Sequence, residues 1–137
     1  MKSKYFKIHE LVPKQMYYKY GENAWRYIDR GMIRDIDHLK EVFNNGTMTI
    51  NNYHWNGDRQ WSGIRTYESM YYSYGSQHTY ANAVDIVYSD YSSEEVRQYI
   101  LSHQDEFDWI SRLEEGVAWL HIDGANTEFD YITTFKA

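Results

Sequence analysis

Two apolar runs in this chain are each broken by an ionisable residue, and this restricts its folding more than any other feature. Residues 83–88 read AVDIVY and residues 117–123 read VAWLHID. Their β-branched and aromatic content predicts strands. Alternate residues of a strand share a face. Val84 and Ile86 therefore lie opposite Ala83 and Asp85, and Ala118, Leu120 and Ile122 lie opposite Trp119, His121 and Asp123. A carboxylate inside an apolar strand is costly unless it is paired or holds a cation. The expected sheet buries one face in a core and turns the other toward something that satisfies Asp85 and His121.

The remaining segments fit around such a sheet. Pro13 opens a short helix to about Tyr20, with Gly21 as its stop, and residues 22–29 form a further helical turn. Ile33, Ile36, Leu39 and Phe43 recur at three- and four-residue spacing, an amphipathic helix that Asn44-Asn45-Gly46 ends. Residues 47–53 read as a strand, and Asn56-Gly57-Asp58 as a turn. Ser92 and Glu95 form a capping-box pattern. The helix it starts carries Val96, Tyr99, Ile100 and Phe107 on one face. Residues 131–135 (YITTF) are a further strand. Strands and helices mix without βαβ alternation, so the fold class is α+β. The length of 137 residues suits one domain, with a helical part over 1–46 and a core over 47–137.

There is no cysteine, which excludes disulfides and thiolate metal sites. The formal net charge of -6 argues against general affinity for nucleic acid or anionic membranes. No apolar run is long enough to insert in a membrane, and the start, MKSKYFKIHELVPK, lacks the apolar core of a secretory signal. The 15 Tyr and 5 Trp suit either a groove for polar ligands or an ordinary small core with its rim.

Parity lets adjacent strands present Asp85 and His121 to one spot, with His78 reaching in from the preceding polar loop. Two imidazoles and one carboxylate leave a fourth tetrahedral position open, the arrangement of a catalytic rather than a structural zinc site. Taken from spacing alone, the competing reading is two satisfied core or rim histidines and a chance His-x6-Asp pair.

Three segments in order, Ser62-Gly63-Ile64-Arg65-Thr66, Ser76-Gln77-His78 through Asp85, and Trp119-Leu120-His121-Ile122-Asp123, resemble the zinc D-alanyl-D-alanine carboxypeptidases. That family shares its fold with the Hedgehog signalling domain and several phage endolysins. The resemblance covers about residues 47–123, and the N-terminal part is similar to small phage-associated members. It implies a small, mainly antiparallel sheet with helices packed on it, zinc held by His78, Asp85 and His121, and hydrolysis of peptide bonds in peptidoglycan stems. By the same resemblance Arg65 holds a substrate carboxylate or polarises its carbonyl, and Ser76 and Gln77 border the substrate. Trp119 and Asp123, on the ligand face, are further substrate-binding and catalytic candidates. The implied setting is a phage: the host cytoplasm or a virion, with the cell wall as target and other virion proteins as partners.

The match breaks at two points. The family supplies a proton-handling Glu or Asp three positions before the last ligand, or a His two before it. Ala118 and Trp119 stand there. Glu114, Glu115, Asp123 and His54 are the substitutes in view. A working peptidase and a zinc-binding or virion-associated protein without turnover thus both remain open. The second departure is Ala81, where the family often has Gly. If that position requires positive φ, Ala is disfavoured.

Overall fold

A computed structural model of the protein describes residues 1–136. Three α-helices, α1 (Lys14–Tyr20), α2 (Arg30–Val42) and α3 (Ser93–Ser102), accompany five strands: β1 (Met48–Thr49), β2 (Ala83–Tyr88), β3 (Arg112–Glu115), β4 (Leu120–Asp123) and β5 (Thr133–Lys136). The strands form one sheet in the order β1-β2-β4-β3-β5. The class is α+β, as expected. The sheet is mixed: β1 with β2, β2 with β4 and β3 with β4 pair antiparallel, whereas β3 and β5 run parallel.

Strand parity sorts the sheet into two faces. Val84, Ile86, Leu113, Leu120 and Ile122 enter the core, where they join Ile33, Ile36 and Leu39 of α2 and Val96 and Ile100 of α3. Phe6, Ile8, Leu11 and Val12 from the N-terminal stretch belong to the same cluster, so one core spans the chain. The other face carries Asp85, His121, Asp123, Arg112, Glu114 and Phe135, which line a groove. No helix among the described residues is long and apolar enough to cross a membrane.

Several boundaries differ from the sequence reading. Helix α2 starts at Arg30, earlier than its apolar stripe, because the Asp29 side chain caps the amides of Gly31 and Met32. The capping box of α3 forms as expected: Ser92 accepts from the Glu95 amide and Glu95 from the Ser92 amide. That helix stops at Ser102, so buried Phe107 lies beyond it, after a short 3-10 turn. The strand expected over 47–53 shrinks to Met48–Thr49. Beyond it, Asn51 replaces sheet bonding with brackets of its own. Its amide donates to the Glu10 carbonyl, its Nδ2 to the Val12 carbonyl, and its Oδ1 accepts from the Ser62 amide.

Strand β3 was not expected. Its residues, RLEE, direct Arg112 and Glu114 into the groove and Leu113 into the core, so polarity masks the strand. The strand expected over 117–123 keeps only residues 120–123, because residues 116–119 turn the chain from β3 to β4. Gly116 carries that turn at φ +78 with open space around it. Buried Arg97 of α3 holds the same turn from inside. Its Nε donates to the Glu114 carbonyl (3.0 Å), and its Nη2 to the carbonyls of Val117 (2.6 Å) and Trp119 (2.7 Å).

Candidate metal centre

The β2–β4 register places Asp85 directly opposite His121, and Ala83 opposite Asp123. His78 arrives from a tight turn just before β2. In that turn the Asn82 amide bonds the Gln77 carbonyl and the Ala81 amide bonds the His78 carbonyl. These six-to-one and five-to-two bonds make a Schellman-type ending, whose closing residue must be left-handed. Ala81 fills that place at φ +57. The positive φ under which alanine is disfavoured at this position is therefore present.

A second segment fixes His78 from the other side. The Asp85 amide bonds the Ser62 carbonyl (2.7 Å), the Arg65 amide bonds the His78 carbonyl (3.1 Å), and the Gly63 carbonyl accepts from His78 Nδ1 (2.8 Å). The Ile64 amide bonds the Leu11 carbonyl. That carbonyl presses on Gly63 so closely that any Cβ there would collide with it. The N-terminal stretch thus buttresses the segment that fixes His78.

His78, Asp85 and His121 are buried, and one ligand atom from each falls within 4.8 Å of the others. His78 Nε2 lies 3.2 Å from Asp85 Oδ1, and His121 Nδ1 lies 2.7 Å from the same oxygen. The second nitrogen of each ring is already engaged: Nδ1 of His78 with the Gly63 carbonyl, and Nε2 of His121 with Asp123 Oδ2 at 2.9 Å. Each imidazole therefore meets an acceptor at both nitrogens. A neutral imidazole has one N–H and satisfies only one acceptor. Either the ring is protonated or a cation lies between its second nitrogen and Asp85.

His121 takes the first route in the metal-free protein. Burial pulls it down, but hydrogen bonds to Asp123 and Asp85 outweigh burial and raise it to about 9. Burial pushes Asp85 up, yet the bonds to His121 and His78 win and hold it well below the usual carboxylate range. A metal ion held there would take the place of the proton that His121 shares with Asp85. The fixed Nδ1–H of His78 and Nε2–H of His121 leave the correct lone pairs facing it, each oriented by an outer acceptor.

Asp123 is fully buried and fully engaged. Oδ1 accepts from Arg112 Nε (2.9 Å) and the Ala125 amide (3.2 Å), while Oδ2 accepts from Arg112 Nη2 (2.9 Å) and His121. Its geometry suits orienting His121. Arg112, absent from the sequence reading, stacks its guanidinium 4.2 Å from the Phe135 ring centre. Arg65 lines the groove, its Nη2 donating to Asp85 Oδ2 (3.1 Å) and its Nε to the Trp61 carbonyl (2.8 Å). It steadies Asp85, and its Nη1 makes no hydrogen bond among the described residues.

Ser76, Gln77 and Trp119 also line the groove. Ser76 Oγ accepts from the His78 amide, and Gln77 Oε1 from Asn82 Nδ2, so both brace the turn as well. The groove encloses about 710 Å³ above His78, Asp85 and His121, with aromatic walls of Trp61, Tyr71, Trp119 and Phe135. Of the four substitutes for a proton-handling residue, Glu114 and Asp123 border the groove. Glu115 and His54 do not, and His54 stacks on His9 at 4.0 Å instead. No protein-family model, curated protein or solved structure matches this chain.

Proposed function

We propose that this protein is a zinc-dependent peptidase of the Hedgehog/DD-peptidase type that hydrolyses peptide bonds in bacterial peptidoglycan stems. The convergence of His78 Nε2, His121 Nδ1 and Asp85 Oδ1 on one buried point at the base of an aromatic groove carries this reading. Two nitrogens and one carboxylate, with no thiolate, are a donor set of catalytic zinc. The three ordered motifs described above supply the substrate class. Zinc held there by His78, Asp85 and His121 would lower the pKa of a bound water toward neutrality and polarise the scissile carbonyl.

The chain's own groups do the rest. Asp123 and the Gly63 carbonyl fix the tautomers of the two ligand imidazoles. Arg65 holds Asp85 and keeps one arm of its guanidinium for the substrate's carbonyl or carboxylate oxygen. The aromatic walls pack the stem peptide and exclude water. A second reading, zinc binding without turnover, draws on Ala118 and Trp119, neither of which accepts a proton.

Purified protein should contain one zinc per chain by elemental analysis, and His78→Ala should remove it. Incubation with peptidoglycan followed by mass analysis of the soluble products tests turnover. Release that survives chelation and His121→Ala excludes the peptidase mechanism. Zinc-loaded protein that leaves peptidoglycan intact selects the second reading.

A further inference from the structure

Granted the zinc-peptidase reading, on which this step rests, we infer that Glu114 is its proton-transferring base, supplied by β3 rather than by the strand that carries the last ligand. Arg112 pairs with Asp123 and Leu113 with Ile122, so the next step of this antiparallel register brings Glu114 opposite His121. Glu114 Oε2 lies 3.8 Å from His121 Nδ1, the nitrogen that turns toward Asp85. The side chain is only 12% exposed and makes no hydrogen bond among the described residues. Asp85 and Asp123, by contrast, are committed to His78, His121, Arg65 and Arg112.

Glu114 also stands outside the trio whose ligand atoms lie within 4.8 Å of one another. It would flank a metal held by that trio rather than join them as a ligand. Arg97 pins its backbone through the Glu114 carbonyl. The half-buried Glu114 carboxylate has His121 as an ion-pair neighbour at 3.8 Å but accepts no hydrogen bond among the described residues, so its oxygens are free to accept from a donor in the groove. A water attacking a carbonyl beside the metal is such a donor. Glu114 faces His121 from across the β3–β4 ladder, so Ala118 and Trp119 need not supply the base.

The proton balance closes on Glu114 alone. The water gives one proton to Oε2 as its oxygen bonds the scissile carbon, and the carbonyl π pair moves to the carbonyl oxygen. Glu114 then hands that proton to the amide nitrogen. The C=O re-forms and the C–N bond breaks, giving an amine and a carboxylic acid. Only water is consumed.

The test uses the zinc-loaded protein, its Glu114→Gln and Glu114→Asp variants, and Glu115→Gln as control. Melting curves verify folding. Acetohydroxamate loses its N-hydroxyl proton when it chelates a metal, and a neighbouring carboxylate takes that proton. Its affinity, read by calorimetry, therefore reports on Glu114 independently of turnover. Glu114→Gln should keep one zinc, bind acetohydroxamate about 10- to 100-fold more weakly, and release muropeptides about 10²–10⁴-fold more slowly. Glu114→Asp should recover part of both, and Glu115→Gln should match the unsubstituted protein.

Unchanged acetohydroxamate affinity in Glu114→Gln overturns the assignment while leaving the zinc reading intact. Loss of zinc from Glu114→Gln also overturns it, by making Glu114 a ligand. Absence of zinc from the unsubstituted protein sinks the underlying reading itself.

Discussion

Replacing Ala81 with glycine should make this protein more stable, although it deletes a methyl group from a partly buried site. Ala81 closes the turn that delivers His78, and it does so at φ +57. A left-handed L-residue costs about 1–2 kcal/mol, from Cβ crowding of the following carbonyl. Glycine removes that cost but adds about 0.4–1 kcal/mol of conformational entropy to lose from the unfolded chain. The net expectation is a gain of about 0.5–1 kcal/mol. For a chain of this size that is a rise of roughly 2–4 °C in Tm. Urea unfolding followed by circular dichroism should show a higher midpoint at unchanged m-value. Gly116→Ala supplies the mirror experiment, since Gly116 sits at φ +78 with nothing near its missing Cβ. It should lose about 1 kcal/mol for conformational reasons alone. If Ala81→Gly lowers the midpoint while Gly116→Ala behaves as described, the lost methyl contacts outweigh the backbone term and the reasoning about this turn is wrong.

Three further outcomes follow from the same geometry. His121 is raised above its unfolded value, so its ionised form stabilises the metal-free protein fully below about pH 6.5. That contribution is lost as pH rises through about 9. Metal-free Tm should therefore fall across this window, zinc-loaded Tm should not, and zinc uptake at pH 7 should release a proton detectable by calorimetry in buffers of different ionisation enthalpy. Arg97→Ala should cost about 3 kcal/mol or more, since it strands the carbonyls of Glu114, Val117 and Trp119; a loss under 1 kcal/mol in urea unfolding would show that water replaces the guanidinium. Gly63→Ala should cost about 1–3 kcal/mol by forcing the segment off the Leu11 carbonyl. It should also weaken zinc binding about 10- to 100-fold by disturbing the acceptor of His78 Nδ1, and unchanged metal affinity would count against that orienting role.

Much of the site was legible in the chain because it depends on local period. AVDIVY became β2 over the expected residues, and side-chain parity put Asp85 on one face with Val84 and Ile86 on the other. The same parity put His121 and Asp123 together, and the Ser92–Glu95 box fixed the start of α3. These are properties of backbone geometry over a few residues, and a sequence states them directly. Tertiary structure decided what depends on neighbours distant in the chain. It set the β2–β4 register that faces Asp85 with His121, and it brought Glu114 and Arg112 in from a strand whose charges hid it. It placed Arg97 behind the β3–β4 turn and the Leu11 carbonyl against Gly63. The three side chains of the candidate metal centre were written in the sequence, whereas the arrangement that orients them and sets Glu114 beside them came only from packing. A side chain's type and strand parity are local facts, but what lies opposite it is set by long-range contacts that no single segment encodes.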